Sequence, residues 1–125
     1  AEGAADTILL GTSTTDANAV MVRAPYYTEE DRGLIPAYDN KFSVASWKPW
    51  LTYDAQASAK RLRKPMLMVG SPAIALPAGA ETYVARTKAP VDKLWLGEDV
   101  TQFDFYDRQD VVTTAADEIA KFLSV

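Results

Sequence analysis

The sequence contains no histidine and no cysteine. Without an imidazole it lacks the side chain that most readily takes and returns a proton near neutral pH. A histidine-dependent hydrolase mechanism is therefore excluded for this chain alone. Without cysteine there are no disulfides, thiolate nucleophiles or zinc–thiolate sites. Zinc or copper would have to rely on carboxylates, which suit those metals poorly, and no EF-hand loop spacing for calcium occurs. We expect no metal and no cofactor. No apolar run approaches the ~20 residues that cross a bilayer. The opening Ala1-Glu2-Gly3-Ala4-Ala5-Asp6 has no basic stretch like that of a signal peptide. The first residue is not Met, which reads as a processed chain or a piece of a longer one. The expectation is a cytoplasmic protein with no membrane partner. An excess of basic charge is lacking too: 13 Lys and Arg face 17 Asp and Glu, for a net charge of −4. Phosphate neutralisation needs clustered cations, so nucleic acid is not an expected partner. The one tight basic cluster, Lys60, Arg61, Arg63 and Lys64, reads as a last helical turn that complements the helix dipole.

The chain has 125 residues, enough for one domain that buries about two thirds of its unfolded surface. Its two parts differ in texture. Residues 1–64 read as an irregular, partly helical, cap-like or connecting segment. Thr7-Ile8-Leu9-Leu10 suits a short strand, Thr12 to Asp16 a turn, and Ala19-Val20-Met21-Val22 a strand or helix. Thr28 followed by Glu29, Glu30 and Asp31 has the pattern of a helix start, stopped at Gly33. Ser43 would cap a short helix containing Trp47, which Pro49 kinks or ends. Asp54 would cap a helix over 55–63, with Pro65 marking its exit.

Residues 65–125 read as strand, helix, strand, helix. Met66-Leu67-Met68-Val69 is a continuous apolar run, the pattern of a strand buried on both faces. Pro77 fits the first position of a helix ending near 87. Val91, Leu94, Trp95 and Leu96 mark a second strand. A helix over 108–123, capped by Asp107, places Val112, Ala115, Ala116, Ile119, Phe122 and Leu123 on one face. Alternating strands and helices imply an α/β fold with at least two parallel strands, flanking helices and right-handed crossovers. Short strands near the N-terminus are candidates to join that sheet.

These residues carry a family resemblance. Lys64 to Val69, followed by Ala75-Leu76-Pro77-Ala78-Gly79-Ala80, resembles the penultimate strand, loop and helix of α/β-hydrolases of the dienelactone-hydrolase-like branch. Trp95-Leu96-Gly97 and Val100 to Asp107 resemble the last strand and the loop that carries the triad histidine. Phe103-Asp104-Phe105-Tyr106-Asp107 is the most specific part. The end Ile119-Ala120-Lys121-Phe122-Leu123 is similar to the closing helix. Arg32 to Pro36, Asn40-Lys41-Phe42 and Ser46 to Leu51 are similar to the segment joining the two halves of such enzymes. The likeness covers roughly residues 26–125. It implies a C-terminal piece or shortened relative of a hydrolase-like protein acting on esters or similar acyl compounds.

The departures from that family bear on chemistry. The triad order is nucleophile, acid, histidine. No complete Gly-x-Ser-x-Gly elbow surrounds Ser13 or Ser71. The loop where the acid would sit reads Pro72-Ala73-Ile74-Ala75, and Gln102 stands at the histidine position. Glutamine can hydrogen-bond but cannot relay a proton, and loss of a triad member costs several orders of magnitude in rate. The leading expectation is thus a hydrolase-like chain that is inactive alone. Candidate site residues remain Gln102, Asp104 as a substitute base, and Ser71 at the carboxyl end of a strand, where open sheets bind ligands. Each has a plainer reading as a loop or cap hydrogen-bonding group. Asp107 and Asp110 read as charges at a helix start rather than metal ligands with Asp104. One alternative is a homo-oligomeric or partner-binding assembly module, using an uncovered sheet edge and the aromatic surface of Tyr26, Tyr27, Tyr38, Trp47, Trp50 and Tyr53. Another is a carboxylate-based hydrolase using Asp104 with Glu98 or Asp99. The expected partner is a second copy or a companion N-terminal half.

Overall fold

The computed structural model describes residues 6–124, and the chain divides into two compact units between Tyr53 and Asp54. The architecture is mixed α/β, with helices and three separate two-stranded sheets among the described residues.

The first unit contains β1 (Ile8–Leu10), β2 (Thr12–Ser13), β3 (Met21–Val22) and β4 (Lys41–Ser43). β1 pairs antiparallel with β4, setting Leu9 opposite Phe42; β2 pairs parallel with β3. These short strands pair among themselves and do not extend the sheet of the second unit, contrary to the expectation from the sequence. Asn40 explains much of the local order. Its carboxamide accepts from the Thr12 N–H at 2.6 Å and donates to the Thr12 carbonyl at 2.8 Å. It thereby does for buried Thr12 what a strand neighbour would do. Thr12 and Ser13 pair as strand with Met21 and Val22, and the expected turn begins only beyond them. There Ser13 Oγ accepts from the N–H groups of Thr15 at 3.1 Å and Asp16 at 2.8 Å.

Thr28 does not start a helix. A 3₁₀ turn over Pro25–Tyr27 precedes it, and the Thr28 hydroxyl donates back to the Pro25 carbonyl at 3.3 Å. It closes one turn instead of opening the next. Gly33 returns to Tyr26, donating to its carbonyl at 2.9 Å. A Cβ on Gly33 would lie 2.3 Å from the Tyr26 ring, so close approach, not helix termination, requires glycine here. Ser43 ends β4, and its hydroxyl bonds the Asp6 carboxylate in place of a helix cap. A 3₁₀ turn over Val44–Ser46 leads into α1 (Trp47–Thr52). Pro49 lies in the first turn of α1, where its missing N–H costs no intrahelical bond, so the helix continues past it. Trp47, Trp50 and Phe42 form a cluster, with Phe42 5.6 Å from Trp50 edge to face.

In the second unit, Asp54 accepts from the Gln56 N–H at 2.9 Å and opens a helix over Ala55–Arg61, which is 3₁₀ in form. Then follow β5 (Met66–Gly70), α2 (Pro77–Arg86), β6 (Val91–Trp95), α3 (Asp104–Asp107) and α4 (Gln109–Leu123). β5 and β6 are parallel, in register from Met66 opposite Val91 to Gly70 opposite Trp95. The expected strand–helix–strand crossover is present. Pro77 holds the first turn of α2.

Three local expectations fail here. Met66 to Val69 are half-buried rather than buried on both faces, and among the described residues β5 pairs with β6 alone. Asp107 closes α3 and does not cap α4; Arg108 holds the cap position without a side-chain cap bond. The inward face of α4 centres on buried Val111, while Ile119 and Leu123 are 43% and 73% exposed. Two strands lie only about 5 Å apart, too narrow to cover the whole apolar stripe of a helix about 10 Å across.

Buried apolar side chains are few and small: Ala19 and Ala24 in the first unit, Ala59, Val100 and Val111 in the second. Gly70 shows how tight the remaining packing is. A Cβ there would meet the Trp95 ring at 2.6 Å. Gly70→Ala is expected to destabilise the second unit by about 1–3 kcal/mol through overpacking. The check is the midpoint of urea unfolding, which should fall while the slope stays constant.

Candidate functional site

The carboxyl ends of β5 and β6 bring together the residues that the sequence singled out. Parallel strands place their following loops at the same end of the sheet, so residues 71–76 and 96–103 are neighbours. The Leu96 N–H donates to the Gly70 carbonyl at 2.8 Å, and Ala73 forms a parallel bridge with Thr101.

Ser71 is fully buried between these loops. Its hydroxyl donates to the Val100 carbonyl and accepts from the Ala73 N–H at 3.2 Å. A serine nucleophile needs an exposed Oγ and a base to take its proton. This hydroxyl has neither, since its proton is already given to a backbone carbonyl. Gln102 makes a second link between the same loops. Its Oε1 accepts from the Ala75 N–H at 3.4 Å and its Nε2 donates to the Tyr106 hydroxyl at 3.4 Å. Asp104 turns back on its own loop: Oδ2 accepts from both the N–H and the hydroxyl of Thr101, each at 2.6 Å. Thr101 thereby reaches the start of α3 with both its backbone and its side chain satisfied.

Two of the carboxylates considered with Asp104, Asp99 and Asp110, are held by Arg108. Asp99 accepts from Arg108 Nη2 at 3.2 Å. Asp110 receives Arg108 Nε at 3.1 Å and Nη2 at 3.2 Å, a forked pair. Among the described residues, no group of three or more carboxylates gathers as metal ligands. Arg108 organises this corner, and the sequence reading missed it. The signal was available in Asp99, Arg108 and Asp110, but only the folded loop brings Asp99 back to the guanidinium.

Hydrogen bonding to Asp110, and then to Asp99, raises the Arg108 pKa above its ordinary value. The Arg108 hydrogen bond likewise holds the Asp110 carboxyl below its ordinary 3.8. A depressed carboxyl stabilises the folded state above its unfolded value, and that contribution is lost as pH falls through the depressed value. Both shifts describe one interaction and count once.

The arrangement is chemically a set of clamps between loops. Ser71→Ala is expected to cost about 1–3 kcal/mol by leaving the Val100 carbonyl and Ala73 N–H without their partner; thermal or urea unfolding measures it. In Arg108→Gln, the Asp110 carboxyl should titrate at higher pH than in the wild type, as read by carboxyl-carbon NMR. Among the described residues, no helix is long and apolar enough to cross a membrane. Compared with protein-family models, with curated proteins and with solved structures, the chain matches none.

Proposed function

We propose that this chain is the C-terminal portion of a hydrolase-like α/β protein and has no hydrolytic activity by itself. One observation carries the proposal: Ser71, at the strand end where chemistry would be sought, is buried with its hydroxyl committed to two backbone groups. The side chain at the expected histidine position, Gln102, bonds a backbone N–H and a tyrosine hydroxyl instead of relaying a proton. No imidazole exists elsewhere in the chain to replace it.

The state of the sheet supports the same reading. β5 is apolar along its length, yet it pairs on one side only and stays half-buried. β6 carries Asp92 and Lys93 at its middle, the charged pattern of an edge strand. A strand supplied by a companion half would pair along the free edge of β5. In the same unit Leu76, Tyr106, Ile119 and Leu123 are exposed apolar side chains that a further segment would cover. Ester or other acyl substrates would then belong to the completed protein, whose nucleophile lies outside this chain. Assembly with a second copy through the same β5 edge is the second reading, favoured by the same exposed surface. The carboxylate mechanism has less support, because Asp104 is engaged by Thr101 and Asp99 by Arg108.

The test is hydrolysis of a p-nitrophenyl ester by the purified chain. The expected rate is that of buffer, unchanged by Asp104→Asn. Turnover that disappears in Asp104→Asn would contradict the proposal and favour a carboxylate mechanism. The coding sequence upstream of Ala1 should specify a strand followed by Gly-x-Ser-x-Gly; an upstream reading frame without that elbow would refute the hydrolase-like origin.

A further inference from the structure

The amino ends of the parallel strands carry a different surface. A groove of about 620 Å³ is lined there by Lys64, Pro65, Pro90, Asp92, Phe122 and Leu123. Pro65 and Pro90 immediately precede β5 and β6, so the groove lies at the end of the sheet opposite Ser71 and Gln102. Its floor is apolar, and Leu123 is 73% exposed beside it. Lys64 lines the groove, with Lys60 and Arg61 at the end of the preceding 3₁₀ helix. All three are exposed, and among the described residues none is ion-paired with a carboxylate. Arg63 is not free in the same sense, since its guanidinium donates to the Lys60 carbonyl at 2.9 Å and the Leu62 carbonyl at 3.1 Å. It ties off the end of the helix.

We propose that this groove receives an acidic amphipathic segment of a partner protein. Charge selects the occupant. The chain as a whole is acidic, at −4, yet the stretch that leads into this groove carries Lys60, Arg61 and Lys64, of which Lys64 lines it. An apolar side chain of the partner would seat between Pro65, Pro90, Phe122 and Leu123. Carboxylates on the flanks of that segment would meet Lys60, Arg61 and Lys64. Nucleic acid fits less well: the trough is apolar, and among its lining residues no exposed aromatic ring offers a base a stacking surface. This inference is independent of the hydrolase-like reading, which concerns the other end of the sheet and the edge of β5.

The test uses the whole chain and a fluorescent synthetic helix with Leu on one face and Glu on the other. Anisotropy titrations compare it with the same helix carrying Lys for Glu, with a single-stranded oligonucleotide, and with phosphatidylserine vesicles. Binding of the Glu helix alone, weakened by added salt, is expected. Leu123→Asp, and separately Lys60→Glu with Lys64→Glu, should each weaken it by about tenfold or more. Both sets of side chains are exposed, so circular dichroism should match the wild type, and amide shifts on titration should centre on residues 64, 91, 122 and 123. No binding of the Glu helix, equal binding of the Lys helix, preferential binding of oligonucleotide or vesicles, or unaltered binding by either variant would overturn the proposal.

Discussion

The Ser71 hydroxyl fastens the two loops that follow the parallel strands. It gives its proton to the Val100 carbonyl and receives the Ala73 N–H, at a position with no access to solvent. A buried hydroxyl with both functions satisfied is stabilising; either partner left alone in that place would carry a desolvation cost. The neighbouring features depend on this fastening. Ala73 can bridge Thr101 only when the loops are in register, and Gln102 can reach the Ala75 N–H only from there. The Thr101–Asp104 contacts then turn the chain into α3. Structural commitment and nucleophilic chemistry compete for the same lone pairs and the same proton. Here the structural use takes both.

Much of the second unit was legible in the sequence because its signals are local. An apolar run before a loop, Pro at a first helical position and a long amphipathic stretch located β5, α2 and α4 to within a residue or two. Asp54 as a cap was readable for the same reason. The errors came where two local rules competed. Asp107 is an acceptable cap, but Asp104 to Asp107 form a turn of helix first, and the cap position passes to Arg108. Thr28 with its following acids has the composition of a helix start, yet Pro25 had already begun a tighter turn that Thr28 closes.

The first unit was hardest to read because its order is non-local. Asn40 reaches Thr12 across 28 residues, and Gly33 is required by the Tyr26 ring rather than by a turn. Neither relation leaves a periodic trace in the sequence. At the candidate site, the residue types were readable but their partners were not: that Ser71 is buried and that Arg108 holds both Asp99 and Asp110 follow only from the loop contacts.

Whether Ser71 is a fastening or a latent nucleophile can be decided by exposing the native chain to a fluorophosphonate and locating any adduct by peptide mass spectrometry. The expected result is an unmodified Ser71 in the folded protein, because its hydroxyl is enclosed and has no base. A stoichiometric phosphonate on Ser71 under native conditions would contradict the account.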